Sequence, residues 1–249
     1  MLDPIRIMWI RQIKEYWRSK PRVIASIAQP TIFLMALGFG LGPVFQQAGG
    51  EDYVQSLTPG ILGMALLFGS VFNGVSLLWD KQFGFLKESL VAPVPRISLL
   101  IGRSIGGATT AVFQGIVLIP VSYLIGFRLD SLLFIPLIIL FMFLISFLFS
   151  LLGISMGAKL DDPEAFPLII NLVIVPIFFL SGALFPINNL PDAVTTIAKL
   201  NPLTYGVDGL RGTMIDGSDF GIVTDIGILL GITLVLLIIS SHLFEKLET

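Results

Sequence analysis

The chain contains no cysteine. That excludes disulfides, zinc–thiolate sites, iron–sulfur clusters and cysteine nucleophiles, and leaves the redox compartment unmarked. Charge is scarce too: 13% of the 249 residues are Asp, Glu, Lys or Arg, about half of the roughly 25% found in soluble domains. No G-x-x-x-x-G-K-[ST] string occurs, so the backbone cradle and lysine that hold nucleotide phosphates are missing, and the chain alone cannot use ATP. Histidine occurs once, as His242. What fills the sequence instead is apolar: 55% of residues are hydrophobic and the mean hydropathy is +0.92. Such a balance, gathered into long uncharged runs, points to a membrane protein; one large core of buried helices is the other class it allows.

About 20 apolar residues in a helix cross the roughly 30 Å of bilayer hydrocarbon. Six stretches meet that length, near 23–43, 57–78, 104–126, 132–157, 167–185 and 222–243, and none carries an ionisable residue at its centre. Asp225 and His242 lie near the ends of the last one. Basic residues divide unevenly between the two sides. Twelve belong to the N-terminal segment, loop 79–103, loop 158–166 and the tail; three belong to loops 44–56 and 127–131 and segment 186–221. By the positive-inside rule both termini are cytoplasmic. Bases spread through 1–22, with no apolar core ending at small residues, do not read as a cleavable signal.

Segment 1–22 has Ile5, Trp9, Ile13 and Tyr16 on one helical face and Arg11, Lys14 and Arg18 on the opposite one. This pattern predicts an amphipathic helix along the cytoplasmic leaflet. In loop 79–103, Phe83, Leu86 and Leu90 share one face, Lys81, Phe85 and Glu88 the other, and Pro93 and Pro95 end the run. A short cytoplasmic helix between spans two and three follows, with Phe85 offered among charges to a partner's groove. In segment 186–221, pieces 190–200 and 203–215 read as short external helices, the second apolar enough to lie on or dip into the outer leaflet, with Asn201 capping and Pro202 at the first helical position.

The string WDKQFGFLKESLVAPVPRISLLIGRSIGG (79–107) resembles the hallmark segment of the ABC-2 exporter permeases, especially their daunorubicin and multidrug-resistance subgroup. The matching residues are Asp80, Phe83, Gly84, Leu86, Lys87, Glu88, Leu90, Pro93, Arg96, Gly102 and Arg103. A second string, SGALFPINNLPDAVTTIAKLNPLTYGVDGLRG (181–212), resembles the same family's Ser-Gly-x-x-Phe-Pro…Asn-Pro-Leu-Thr-Tyr…Arg signature. The polar run before Phe83 is Asp-Lys-Gln, without the Glu-rich start of many relatives.

The resemblance implies an all-α membrane protein forming one transmembrane domain over 1–249. It would have six spans, an N-terminal interfacial helix, a cytoplasmic coupling helix between spans two and three, and external re-entrant helices between spans five and six. Two such chains pair, and each docks a separate ATPase that binds the ATP and Mg; this chain binds no cofactor. The resemblance assigns the ATPase contact to Asp80, Phe83, Phe85, Lys87 and Glu88, with the basic N-terminal helix (Arg11, Lys14, Arg18) alongside, and puts spans one, two and five at the dimer seam.

Candidate path or gate residues are the uncharged polar Asn73, Ser76, Gln114 and Asn171, and Pro176 just ahead of the external segment. Such polar residues equally serve helix–helix packing. Small residues four apart at Gly38/Gly42, Ser70/Gly74, Gly102/Gly106, Gly153/Gly157 and Gly227/Gly231 allow close helix approach, and Pro30, Pro120 and Pro176 are expected to kink their spans. An apolar path suits a drug, lipid or lipid-linked molecule. Three rival readings are weaker. An intramembrane enzyme lacks a nucleophile near His242 and a carboxylate pair. A secondary carrier or passive channel would do without an ATPase, but the spans hold no ionic relay and no inverted repeat. A scaffold has no positive feature of its own.

Overall fold

The computed structural model describes residues 2–47, 53–85, 94–185 and 191–246, and every regular element among them is helical. In chain order these are α1 (Leu2–Arg18), α2 (Lys20–Gln47), α3 (Tyr53–Val71), α4 (Asn73–Gln82), α5 (Arg96–Ile125), a 3-10 turn (Leu132–Phe134) and α6 (Ile135–Lys159). Then come α7 (Ala165–Ile169), a π turn (Ile170–Ile174), α8 (Val175–Phe179), α9 (Asp192–Leu200), α10 (Pro202–Met214) and α11 (Ile222–Glu245). Five stretches are long and apolar enough to cross a membrane: Lys20–Phe45, Tyr53–Gln82, Arg96–Ile125, Leu132–Lys159 and Ile222–Glu245.

The expected fifth span, 167–185, differs. Its helical part is the shorter Ala165–Phe179, after which the chain turns through 180–185. Pro176 accounts for its irregularity. A proline lacks the amide that would serve the carbonyl four residues back, and its ring crowds that carbonyl. The carbonyl belongs to Leu172, inside the π turn, where the helix opens to accommodate it.

Loop 79–103 is also shorter than expected. Helix α4 runs on through Gln82, and α5 begins at Arg96 with Pro95 as its N-cap, so Pro95 starts a helix; the predicted helical residues Leu86, Glu88 and Leu90 lie outside the described residues. The 30 residues of α5 extend roughly 45 Å, longer than the roughly 30 Å of bilayer hydrocarbon.

Helices α3 and α6 form the centre, with α5 and α11 packed on α6 and α2 laid against α3. The Ser70/Gly74 and Gly153/Gly157 pairs face each other at the crossing of α3 and α4 with α6. A Cβ on Gly153 would lie 2.4 Å from the Val71 carbonyl oxygen, and one on Gly74 would lie 2.0 Å from that of Gly153. Only glycine permits that approach. Gly102 and Gly106 meet α1 at Ile5, Met8 and Gln12, and the Trp9 indole donates to Thr109 Oγ1 at 3.0 Å. The buried face of α1 therefore centres on Met8, Gln12 and Tyr16 and rests on α5. Gly227 and Gly231 meet no atom within 4 Å and join no such contact.

Helix α10 lies neither on nor in the outer leaflet alone: residues 203–214 are all buried, against α3, α6 and α11. Asn201 caps it, accepting from the Leu203 amide at 3.0 Å, and its own amide donates to the Ile177 carbonyl at 2.6 Å. The Asn-Pro-Leu-Thr-Tyr string is thus a folding signal. Thr204 and Tyr205 add hydrogen bonds to the carbonyls of Ala198 and Lys199.

Candidate functional site

Helix α4 carries Asp80 in its last turn, where the side chain turns into the protein rather than outward. Asp80 is 8% exposed. Its Oδ1 accepts from Arg11 of α1 at 2.7 Å, and its Oδ2 accepts from Arg103 of α5. Arg103 is fully buried and also donates to Ser76 Oγ at 3.2 Å. Its Nε and Nη1 have no partner among the described residues. One carboxylate therefore ties together three helices, and Asn73 reinforces the knot by donating to the Arg103 carbonyl at 3.1 Å and to Ser150 Oγ at 3.2 Å. Next along α4, Lys81 pairs with Asp161 of the loop after α6 at 2.5 Å. That hydrogen bond, with the lysine's charge behind it, holds the exposed Asp161 carboxyl below its ordinary pKa.

Beyond this knot α4 ends abruptly. The Phe83 amide bonds to the Trp79 carbonyl, and Gly84 adopts φ +78°, a backbone region a side chain resists. The aromatic-glycine pair of the hallmark string is thus a helix stop. Phe83 is 67% exposed and stacks on Trp79, with ring centroids 5.7 Å apart; Phe85 is 52% exposed. Phe85 borders a groove of about 920 Å³ whose other wall is α1, with Arg11, Lys14 and Arg18. Lys87 and Glu88 lie outside the described residues.

Two voids lie deeper. One of about 490 Å³ is bounded by α1, α2, α3, α4 and α5, and both Ser76 and Gln114 line it. The other, about 400 Å³, is lined by Asn171 and by Phe178 and Phe179. The voids share Gln29, Met64, Phe68 and Phe72, so they are neighbours with a common wall. Of the candidate path residues, Ser76 and Gln114 therefore border the first void and Asn171 the second. Asn73 is consumed by packing, and Pro176 follows the π turn without lining either void.

At the other end of the bundle, the second signature's Gly182 and Arg211 meet: Arg211 Nη2 donates to the Gly182 carbonyl at 3.1 Å. Burial lowers the pKa of Arg211, and Asp208 and Asp219 act against that. Asp208 accepts from Ser218 Oγ and from the amides of Asp219 and Phe220, closing the loop onto α10. The sequence reading missed Glu15, Arg22, Phe68, Phe72 and Trp79 as cavity residues. It counted Arg103 among the bases of loop 79–103 and the residues of the hallmark string, without placing it inside the protein. The signal available for Arg103 was its place inside an apolar helix one sequence motif away from Asp80.

Residues 4–215 match the family described as "ABC-2 type transporter". The chain is 24% identical over 245 residues, 97% of this chain and 94% of the relative, to the inner membrane transport permease YadH of Escherichia coli (strain K12). It is 28% identical over 220 residues to the putative transport permease ycf38 of Pyropia yezoensis, covering 85% of this chain and 74% of the relative. It is 26% identical over 228 residues to nodulation protein J of Rhizobium leguminosarum bv. viciae, covering 90% and 86%. With five helices long and apolar enough to cross a membrane, and a family match spanning most of its length, this chain belongs to the ABC-2 type transporters, as a multi-pass membrane permease.

Proposed function

We propose that the chain is the membrane half of an ATP-driven exporter in the plasma membrane of a prokaryote, with both termini cytoplasmic. Two copies pair, each docks a separate ATPase subunit that binds ATP and Mg, and the substrate is lipophilic or amphiphilic: a drug, a lipid or a lipid-linked molecule. The carrying observation is the Asp80 knot. It makes α4 a rigid rod anchored to α1 and α5, with exposed aromatic rings just beyond its end. A rod held this way transmits a push, whereas a loose loop absorbs it.

The ATPase contact is then made by Phe83, Phe85, Lys87 and Glu88, with Lys14 and Arg18 of α1 beside them, while Asp80 and Arg11 hold the base of the rod. Charges around the aromatics orient the partner more than they tighten it. Ser76, Gln114 and Asn171 border the path, and Pro176, at the π turn, is the hinge of the shortened helix pair.

The test is to co-express the chain with an ATP-binding cassette subunit from a neighbouring reading frame and to measure hydrolysis in reconstituted vesicles. Phe85→Ala should abolish the permease-dependent part of the hydrolysis while leaving the isolated ATPase unchanged. Full retention of coupling in that variant refutes the contact assignment.

A further inference from the structure

The larger void, about 490 Å³, falls in the size range of small-molecule sites. Most of its wall is apolar, but three ionisable residues stand around it: Glu15, Arg22 and Asp80. Asp80 is already engaged by Arg11 and Arg103. Glu15 and Arg22 have no ion pair or hydrogen bond among the described residues, with each other or with any other group. A carboxylate and a guanidinium thus border one cavity without forming an ion pair with each other.

That arrangement selects among occupants. A wholly apolar molecule would shield both charges from water and give neither a partner, which is costly. A singly charged amphiphile would satisfy one group and be opposed by the other. A molecule carrying both signs satisfies both. We propose that this cavity takes a zwitterionic amphiphile, with an ammonium group on Glu15, a phosphate or carboxylate on Arg22, and an apolar chain along Phe68 and Phe72, on the side of the second void. The amide side chains of Gln29 and Gln114, on the same wall, suit the neutral polar atoms between head and chain. The identification of this ligand class rests on the void being the substrate path of an exporter.

Binding can be read on the permease alone. The chain has three tryptophans, of which Trp79 lines this void; Trp9→Phe and Trp17→Phe leave it as the single reporter. In uncharged maltoside micelles, quenching of Trp79 is titrated with chain-brominated dodecylphosphocholine, dodecyl carboxybetaine, dodecyl phosphate and dodecyltrimethylammonium. The first two should bind about tenfold tighter than the last two, and the stronger of them tells phosphate from carboxylate. Glu15→Gln should remove that advantage over dodecyl phosphate, and Arg22→Gln should remove it over dodecyltrimethylammonium. Equal binding of all four probes, or an unchanged preference in both variants, overturns the proposal. Tight zwitterion binding that never stimulates hydrolysis in the assembled ATPase complex instead overturns the exporter reading and leaves the site assignment standing.

Discussion

Substituting Asp80 with asparagine removes one negative charge and changes the shape of the side chain hardly at all. The consequence turns on Arg103, whose side chain is fully buried, against 11% exposure for that of Asp80. If the pair acts as an ordinary interhelical hydrogen bond in a membrane, its loss costs about 0.6 kcal/mol. If it acts as a buried ion pair, Asp80→Asn strands the guanidinium, whose Nε and Nη1 already lack partners, and the cost is about 3–5 kcal/mol. Low exposure on both sides favours the larger figure. Arg11, with its side chain 34% exposed, sits where water screens the pair, so Arg11→Gln should cost at most about 1 kcal/mol. Replacing both buried partners, Asp80→Asn with Arg103→Met, leaves no unpaired charge and should recover most of the loss. The assay is reversible SDS unfolding of the purified permease in mixed micelles, run as a double-mutant cycle. An Asp80→Asn variant within 1 kcal/mol of the parent, or a double variant no better than it, would refute the idea that a desolvated charge pair holds α1, α4 and α5 together.

Three further outcomes follow from the same structure. Gly153→Val drives a side chain into the Val71 carbonyl, 2.4 Å from the new Cβ, and should destabilise the bundle by about 1–3 kcal/mol or more; Gly231→Ala, into open space, should stay within about 0.5 kcal/mol in the same unfolding assay. Asn201→Ala removes the cap of α10 and should cost about 1–2 kcal/mol, whereas Asn201→Ser keeps a capping oxygen and loses the bond to Ile177, so a smaller loss is expected from thermal aggregation curves. Because Lys81 depresses the Asp161 pKa, the contribution of that pair is complete above the ordinary carboxylate pKa of about 3.9 and fades only as pH falls through the lower, folded-state value. A carboxyl chemical-shift titration of Asp161 should accordingly be flat between neutrality and mild acid, and a midpoint above the ordinary value would contradict the contact.

The family and the helical class were legible in the sequence because they are written in linear features. Run length sets which segments can cross a bilayer, and Asn201-Pro202 and Phe83-Gly84 act on their own local backbone. Where an element's fate depended on a residue close in sequence, the expectation held: α9 and α10 begin within two residues of the predicted pieces. The errors came where one helix continues into the next element or where a distant group intervenes. Helix α4 outlasts its span because Asp80, once paired with two arginines, can remain inside. The fifth span stops early at the turn through 180–185.

The sequence by itself determined that this chain lives in a membrane, carries no phosphate-binding loop and bears the two signatures of the ABC-2 permeases. Only the tertiary structure decided which charges are consumed inside and which remain for a ligand. Asp80 and Arg103 are 23 positions apart and Arg11 is 69 from Asp80, so no local pattern pairs them. Glu15 and Arg22 stand out only after their neighbours have been satisfied. Ionic partnership depends on distance through space and on exclusion of water, and neither quantity exists until the helices have packed.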